Sequence, residues 1–395
     1  MTTTTIPLPA ASATTTPFRF EVLTCATIEA FRALQPQWRA LLAKSEAVSP
    51  FVDFAYAELA AERALANGAV VEVAAVYEEL DVCVLWPVAI ERRGVLRCAQ
   101  PLGSGCGEEY GGPLIADTRR AEFYDAAVRA VRRLHADLLS VPMLEEGSAL
   151  QLALAAAPQS WVRRRLPARW REMPGYAIGL RAYADWDDYL ATRHSSLRAA
   201  LRASLKRLGK LGHVSFDWCA NAEEAHDVLT WLFANKRRWA LARGIDSPYL
   251  MDDSVRDFFI ELAQRIDLSR TPLVACVKVE GRPVAASVNL VGAQSVEYFI
   301  TTYDEAFGTY SVGNLLVEFI AQWAHAHRRD FDFRPLHGDY KLRWADRHSR
   351  HESRLVVLRA RGRLIEALLL ARVAKRVGRK LLSIVRSRGK RERSE

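Results

Sequence analysis

The sequence predicts an α+β protein of two similar domains in tandem. Three observations predict it. At 395 residues the chain suits two domains of roughly 150–200 residues each. Half of the residues are hydrophobic and 26% are charged, ordinary composition for a chain with a substantial core. One order of elements occurs twice: helix, helix, hairpin, third strand, glycine-containing loop, helix, strand.

In the first half, "FRFEVL" (18–23) reads as a strand. Helices near 28–44 and 53–66 follow, the second opened by "SPFVDF". The runs "VVEVAAVY", "DVCVLWPVAI" and "VLRCAQPL" are rich in β-branched residues, and "EEL" joins the first two as a tight hairpin. The loop "GSGCGEEYGGP", a helix near 117–135 and a buried strand "ADLLSV" complete the set. The second half opens its repeat with a helix over about 222–243, with Asn221 as N-cap and Gly244 as C-terminal stop. A helix near 252–266 comes next. Three strands follow, "PLVACVKV", "PVAASVNLV" and "SVEYFITT", the first pair joined at Glu280-Gly281. The loop "YDEAFGTYSVG" leads into the helix "NLLVEFIAQWAHAHRR" and the strand "FDF". The halves share little residue identity, so the duplication rests on element order. Domains are expected over 18–168 and 169–360, with the join near 165–180.

The six cysteines (Cys25, Cys83, Cys98, Cys106, Cys219, Cys276) form no CxxC pair and have no histidine at metal-ligand spacing, so no metal site is expected. Residues 1–17 lack the basic and apolar regions of a signal peptide and read as a disordered arm. No stretch approaches ~18 apolar residues, and a cytoplasmic protein is expected. The net charge of +9 lies in the tail: residues 361–395 hold twelve Lys/Arg and three Asp/Glu, leaving 43 of each before them. A neutral body argues against a nucleic-acid binder. Over 370–386 the tail segregates apolar from basic residues. That pattern suits peripheral contact with an anionic membrane, or docking on the body with the basic face solvated.

Chemistry concentrates in the second half. A strand, a turn containing Gly308 and Gly313, then a helix from Asn314 is an arrangement that cradles anionic oxygens on free N–H groups, with Ser311 adding a hydroxyl. The helix "HSSLRAALRASLKRLGKLG" carries a leucine stripe (Leu197, Leu201, Leu205, Leu208) beside a basic one (Arg198, Arg202, Lys206, Lys210). It is either a solvated face or an electropositive wall beside a ligand. "LHGDYKLRWADR" packs seven titratable side chains into residues 336–347. There Asp339 suits a base or an N-cap, Tyr340 an acid or a core contact with Trp344, and Lys341 an anion site, while His337 suits a loop surface. Glu297 and Tyr298 alternate along the third strand, so one of them faces the cleft. Tyr303 and Asp304 stand at the strand end. In the first loop, Glu108 and Glu109 would repel a pyrophosphate, and Ser104 and Cys106 have no histidine nearby in sequence.

The hairpin, third strand, glycine loop, helix and strand resemble the acyl-CoA-binding core of the GNAT N-acyltransferases. Within that superfamily, "YDEAFGTYSVGNLL" and "DFDFRPLHGDYKLRW", with the basic helix, resemble the CelD-like acetyltransferases. These form a Fem-related, tandem-GNAT family often encoded with cellulose or exopolysaccharide machinery. The resemblance covers about 185–358 and implies two tandem GNAT-like domains; the segregated residues of the tail read separately as a basic amphipathic helix after them. It implies acetyl-CoA or another acyl-CoA as donor, its pyrophosphate on Tyr310, Ser311, Gly313, Asn314 and Leu315, and backbone N–H groups of "SVEYFITT" at the thioester carbonyl. Asp339, Tyr340 and Lys341 are then the catalytic candidates, and Glu297, Tyr298, Tyr303 and His337 the substrate-binding ones. The acceptor would be an amine or hydroxyl of a small molecule or glycan, such as an envelope-polysaccharide precursor. A Fem-like aminoacyl-tRNA-dependent transferase, a non-catalytic accessory of a polysaccharide synthase and a membrane-surface protein acting through its tail are the competing readings.

Overall fold

The computed structural model describes residues 18–45, 49–107, 109–158, 172–245, 247–368 and 371. The expected N-terminal arm, the 168/169 boundary, Glu108 and nearly all of the tail helix lie outside the described residues.

The first half contributes β1 (Phe18–Cys25), β2 (Val70–Glu78), β3 (Asp81–Arg93), β4 (Leu96–Pro101), β5 (Leu114–Ile115) and β6 (Leu138–Glu145). The second contributes β7 (Glu172–Ile178), β8 (Val214–Trp218), β9 (Val274–Val279), β10 (Arg282–Val291), β11 (Ser295–Tyr303), β12 (Asp330–Asp332) and β13 (Arg347–Val357). The repeated hairpins form where the apolar alternation places them. Between β9 and β10, Glu280 (φ 49°) and Gly281 (φ 74°) both take the left-handed conformation, which matches the twist of the flanking strands.

All thirteen described strands make one sheet, ordered β1-β2-β3-β4-β6-β13-β7-β12-β11-β10-β9-β8, with β5 on the side of β3. The order contains the same unit twice. β4 runs parallel to β6 and β11 parallel to β12, and every other neighbouring pair along that order is antiparallel. The first half takes its last strand from the second: β13, late in the chain, pairs with β6, while β7, at the start of the second half, pairs with β12. β13 and β7 meet as an antiparallel pair at the centre. The halves are thus bound by backbone hydrogen bonds and not by side chains alone.

On one face of the sheet, helices of both halves share a core in which Phe31, Trp38, Phe51 and Tyr56 join Phe258, Phe259 and Phe299. Tyr56 meets Phe258 edge-on at 5.0 Å between ring centroids, and Phe51 meets Phe299 at 5.4 Å. Arg63 pairs with Glu261 and Arg265 with Glu62 along the rim. On the other face each half keeps its own core, around Phe123 and Trp86 in the first and around Tyr189, Ile320 and Trp344 in the second.

Three local expectations change. The helix expected over 28–44 is two, Ile28–Arg32 and Gln35–Lys44. Pro36 has no N–H to donate and its ring would meet the carbonyl of Arg32, so the chain turns first. In the basic helix Ser195–Leu208, Leu197, Leu201 and Leu208 are buried with Ser204, whereas Leu205 is exposed. Asp339 does not cap the helix Asp339–Trp344; Gly338 holds that position and Asp339 is its first residue.

Strand exchange makes a prediction. Residues 18–158 expressed alone lack β13 and bare the edge of β6, so size-exclusion chromatography should find them self-associated or precipitated. Co-expression with residues 172–368 as a second chain should recover a soluble one-to-one pair.

Candidate active site

β11 is the strand from which both parts of the site are built. It pairs in parallel with β12 over only three rungs, Ser295–Asp330, Val296–Phe331 and Glu297–Asp332, after which the strands part. Against β10 its register shifts between Val288–Ile300 and Asn289–Tyr298, leaving Phe299 as the extra residue of a bulge. A bulge leaves backbone groups out of the ladder and re-aims the side chains beyond it. Here it lies where β11 and β12 separate.

One part of the site follows the C-terminal end of β11. After Tyr303 the chain makes the turn Glu305–Tyr310, passes through Ser311 in the left-handed conformation (φ 52°, ψ 36°) and enters the helix Val312–Ala326. The Ser311 hydroxyl makes no cap bond. A right-handed residue followed by a left-handed one, at a helix start, is the backbone of an anion-binding concavity. The Tyr303 ring lies across the loop, within 3.7 Å of where a Cβ on Gly308 would sit and 3.6 Å of one on Gly313. Protein packing therefore leaves room for a side chain at residue 313. Arg207 of the basic helix donates to the Thr309 carbonyl (2.9 Å) and lies 5.9 Å from the Tyr310 ring centre, so the basic helix is fixed to this loop. Sequence reading picked out its neighbours Lys206 and Lys210 and missed Arg207, which falls between the two stripes.

Of the loop residues expected from sequence, Tyr310, Ser311 and Gly313 are partly exposed. The Asn314 carboxamide oxygen accepts the Trp344 indole N–H (3.0 Å), and the Leu315 side chain is buried in the core. The first half's glycine loop is closed on itself: Glu109, buried, accepts from the Ser104 N–H (2.9 Å), the Ser104 hydroxyl (2.5 Å) and the Tyr56 hydroxyl (3.2 Å). A carboxylate of the protein thus occupies donors that the second loop leaves to Ser311 and its neighbours.

The segment after β12 joins this loop to the other half. Arg334 (φ 66°) and Leu336 (φ 83°) both take left-handed backbone that such residues rarely adopt. Two buried side chains hold it there. The Lys341 ammonium donates to the carbonyls of Arg334 (3.1 Å), Pro335 (3.3 Å) and Leu336 (3.0 Å). The Arg334 guanidinium runs the other way, bonding Glu297 at 2.5 Å inside a box made by Phe51, Tyr110 and Phe299, whose ring centres lie 4.5–4.8 Å away. Lys341 is therefore placed as a structural donor to its own loop. Asp339 and His337 are exposed and form a chain, Asp339 Oδ1 to His337 Nε2 at 3.0 Å and His337 Nδ1 to the Tyr176 hydroxyl at 3.2 Å. Tyr340 packs edge-on against Phe333, and burial pushes its phenol up, keeping it protonated.

Glu297 and Tyr298 do face opposite ways. Tyr298 enters the second-half core and bonds Thr301 (2.6 Å), whereas Glu297 points to the first half, where the Ser49 hydroxyl donates to it (3.4 Å). Burial pushes the Glu297 carboxyl up and the Arg334 guanidinium pulls it back. Beside it Tyr110 donates to Asp332 (2.9 Å), and the His351 ring stacks on Tyr110 at 5.9 Å. These groups floor a cavity of about 660 Å³ between the halves, with Ser49, Tyr110, Glu145, Asp332, Arg347 and His351 among its walls. Sequence reading singled out none of Tyr110, Asp332 or His351. Their positions converge only through strand exchange, and the one available signal was a polar stretch, "RHSRHESR", that pairs as β13. Among the described residues, no group of three or more His, Cys, Asp or Glu is placed to hold a metal. None of their helices is long and apolar enough to cross a membrane.

Two linked copies of one sheet unit, the second with a bulged central strand, a parting parallel pair and a loop-to-helix anion cradle, make the tandem GNAT fold. Residues 195–342 match the acetyltransferase (GNAT) domain, a span that includes the basic helix, β11, the loop and Lys341. By that span the chain is similar to GNAT-type acyltransferases. Among solved structures, FemX aligns over 79% of this chain and 93% of its own at 11% identity, with a TM-score of 0.55, which supports the fold. A tandem GNAT protein from the clavulanic acid biosynthesis pathway aligns over 86% and 99% at 11% identity and a TM-score of 0.40. The C-terminal domain of a putative lysylphosphatidylglycerol synthetase from Agrobacterium fabrum aligns over 73% and 85% at 14% identity and 0.43. No curated protein matches the chain.

Two predictions come from the buried groups. Arg334→Met strands the Glu297 carboxylate and should cost about 3–5 kcal/mol in urea denaturation, much of it recovered when Glu297 is also replaced by Met. Burial, opposed by Asp332 and assisted by Arg334, holds the His351 imidazole below its ordinary 6.5. The unfolded chain then binds the proton first on acidification, so stability present above about pH 6.5 is lost as pH falls below it. Thermal melts of His351→Gln should show a shallower loss.

Proposed function

We propose that the protein transfers an acetyl or longer acyl group from acyl-CoA to an amine or hydroxyl acceptor, with the donor held by the second half. The observation that carries this reading is the match of residues 195–342 to a GNAT domain, a span in which β11 bulges beside the parted strands and Ser311 shapes the loop. In this reading the pyrophosphate lies against Tyr310, Ser311 and the first N–H groups of the helix, with Arg207 close by and Tyr303 along its path. The pantetheine enters between β11 and β12, and N–H groups freed at the bulge stabilise the oxyanion as the thioester is attacked. Tyr340, kept protonated by burial, supplies a proton to the leaving thiolate. Asp339 orients His337 and through it Tyr176, and Lys341 fixes the loop on which these groups stand.

The resemblance to CelD-like proteins makes an envelope-polysaccharide precursor the proposed class of acceptor. Peripheral contact with the inner face of a membrane through residues 361–395 belongs to the same reading. Liposome flotation with and without that tail tests it, and equal flotation ends it.

A second reading has a specific observation in its favour. Arg202, Lys206, Arg207 and Lys210 are exposed on or just after the basic helix, and FemX shares the fold. An aminoacyl-tRNA donor would use that face, and tRNA binding should then weaken steeply with salt.

Calorimetry with acetyl-CoA separates the two. The wild-type protein should bind it. Gly313→Val, which the protein's own packing tolerates, should weaken binding about tenfold or more, roughly 1.4 kcal/mol, with little change in melting temperature. Loss of stability with unchanged affinity would assign Gly313 to the fold instead.

A further inference from the structure

The sheet ends in β1 on one side and β8 on the other, and the two edges are built differently. β1 is guarded: Arg19 and Glu21 pair on it (3.2 Å), and Arg133 donates to its Phe20 carbonyl (3.2 Å). β8, with the sequence VSFDW, has no Lys, Arg or Pro and no bulge against β9, the usual means of blunting an edge. Its one charged residue, Asp217, accepts the Ser215 hydroxyl on the same strand (2.7 Å).

Register shows which backbone groups of β8 are left over. The Cys219 N–H donates to the Val274 carbonyl (2.8 Å) and the Glu280 N–H to that of His213 (2.9 Å). Residues 213, 215, 217 and 219 therefore turn their backbone groups to β9. Alternation turns those of Val214, Phe216 and Trp218 outward, where no group among the described residues bonds them. All three residues are half-buried. Phe216 lies against Phe319 (ring centres 5.9 Å apart) and Trp218 against Trp323 (5.2 Å), a row of rings that ends at the open side of the strand.

This edge is complementary to itself. A two-fold axis through Phe216 sets that residue opposite the partner's Phe216, Val214 opposite the partner's Trp218, and Ser215 opposite the partner's Asp217. Each outward N–H then meets an outward carbonyl of the other copy in antiparallel register. Charge favours the same direction. An antiparallel pair lays the segment before β8 in one copy beside the segment after β8 in the other. The first is basic, with Lys206, Arg207 and Lys210 exposed. The second enters the helix Ala222–Ala242 with Glu223 and Asp227 exposed. A foreign strand could use the edge, but only a second copy matches basic entry to acidic exit.

We propose that the protein forms a two-fold dimer through β8, its two sheets continuous across the axis. Such an interface is isologous, the same patch serving both copies. β9 and β10 separate it from β11, so the inference stands apart from the reading of function.

Sedimentation equilibrium of the full chain at micromolar concentrations tests it, and the expected mass is that of two chains. Phe216→Lys sets two ammonium groups against each other on the axis and should shift the mass to one chain, with the circular dichroism spectrum unchanged. Ser215→Glu places a carboxylate opposite the partner's Asp217 from the other face of the strand. It should give the same shift, and it serves if the lysine variant does not fold. Opposed residues of such a pair have Cα atoms about 5.5 Å apart, within reach of a disulfide. Copper phenanthroline should therefore cross-link Phe216→Cys into a two-chain band on a non-reducing gel. Leu80→Cys, on an exposed hairpin of the first half, should stay a single chain. A one-chain mass for the wild type, a two-chain mass in a folded Phe216→Lys or Ser215→Glu variant, or a dimer that Phe216→Cys does not cross-link overturns the proposal.

Discussion

The buried pair of Arg334 and Glu297 is the interaction on which the site depends. A guanidinium and a carboxylate taken out of water are costly unless each is well matched, and here both have several partners. Arg334 bonds Glu297 and lies among three aromatic rings, two of them from the first half, while Glu297 is also touched by Ser49. Because the pair spans β11, the segment after β12 and the loop around Phe51, it fixes how the two halves meet. The left-handed backbone at Arg334 follows from the same need, since it turns the side chain to the first half while its carbonyl accepts Lys341.

The two halves repeat one architecture and have diverged in chemistry at the same point. After β4, the glycine loop folds onto Glu109, which takes the donors of Ser104 and Tyr56. After β11, the corresponding loop holds a left-handed Ser311 and is buttressed by Arg207. Electrostatics separates them: a carboxylate already sits in the first loop, and a cation stands beside the second. The second loop is thereby open to an anion, which the first loop's own carboxylate excludes.

Much of the fold was legible because it rests on short-range patterns. Alternation marks β2, β3, β10 and β11, and Asn221, whose side chain accepts the Glu224 N–H, starts the long helix as its sequence indicates. The loop around Ser311 was legible for the same reason, as a glycine turn before an apolar helix. β7, β8 and β13 were not, because they are short or polar and their partners are distant in the chain. Lys341 shows how far local reading reaches. Its charge suggested a ligand site, whereas three carbonyls of its own loop already take its ammonium.

By itself the sequence determined the repeated order of elements, the hairpins, the loop-to-helix cradle and the basic helix beside it, all set by residues within a few turns of one another. Only the tertiary structure decided that β13 completes the first half's ladder, that Glu297 and not Tyr298 faces the junction, and that Tyr110, Asp332 and His351 share one cavity. The physical reason is that these residues, more than 200 positions apart at the extremes, are brought together by backbone pairing between the halves. No local pattern encodes which distant strand will complete a ladder.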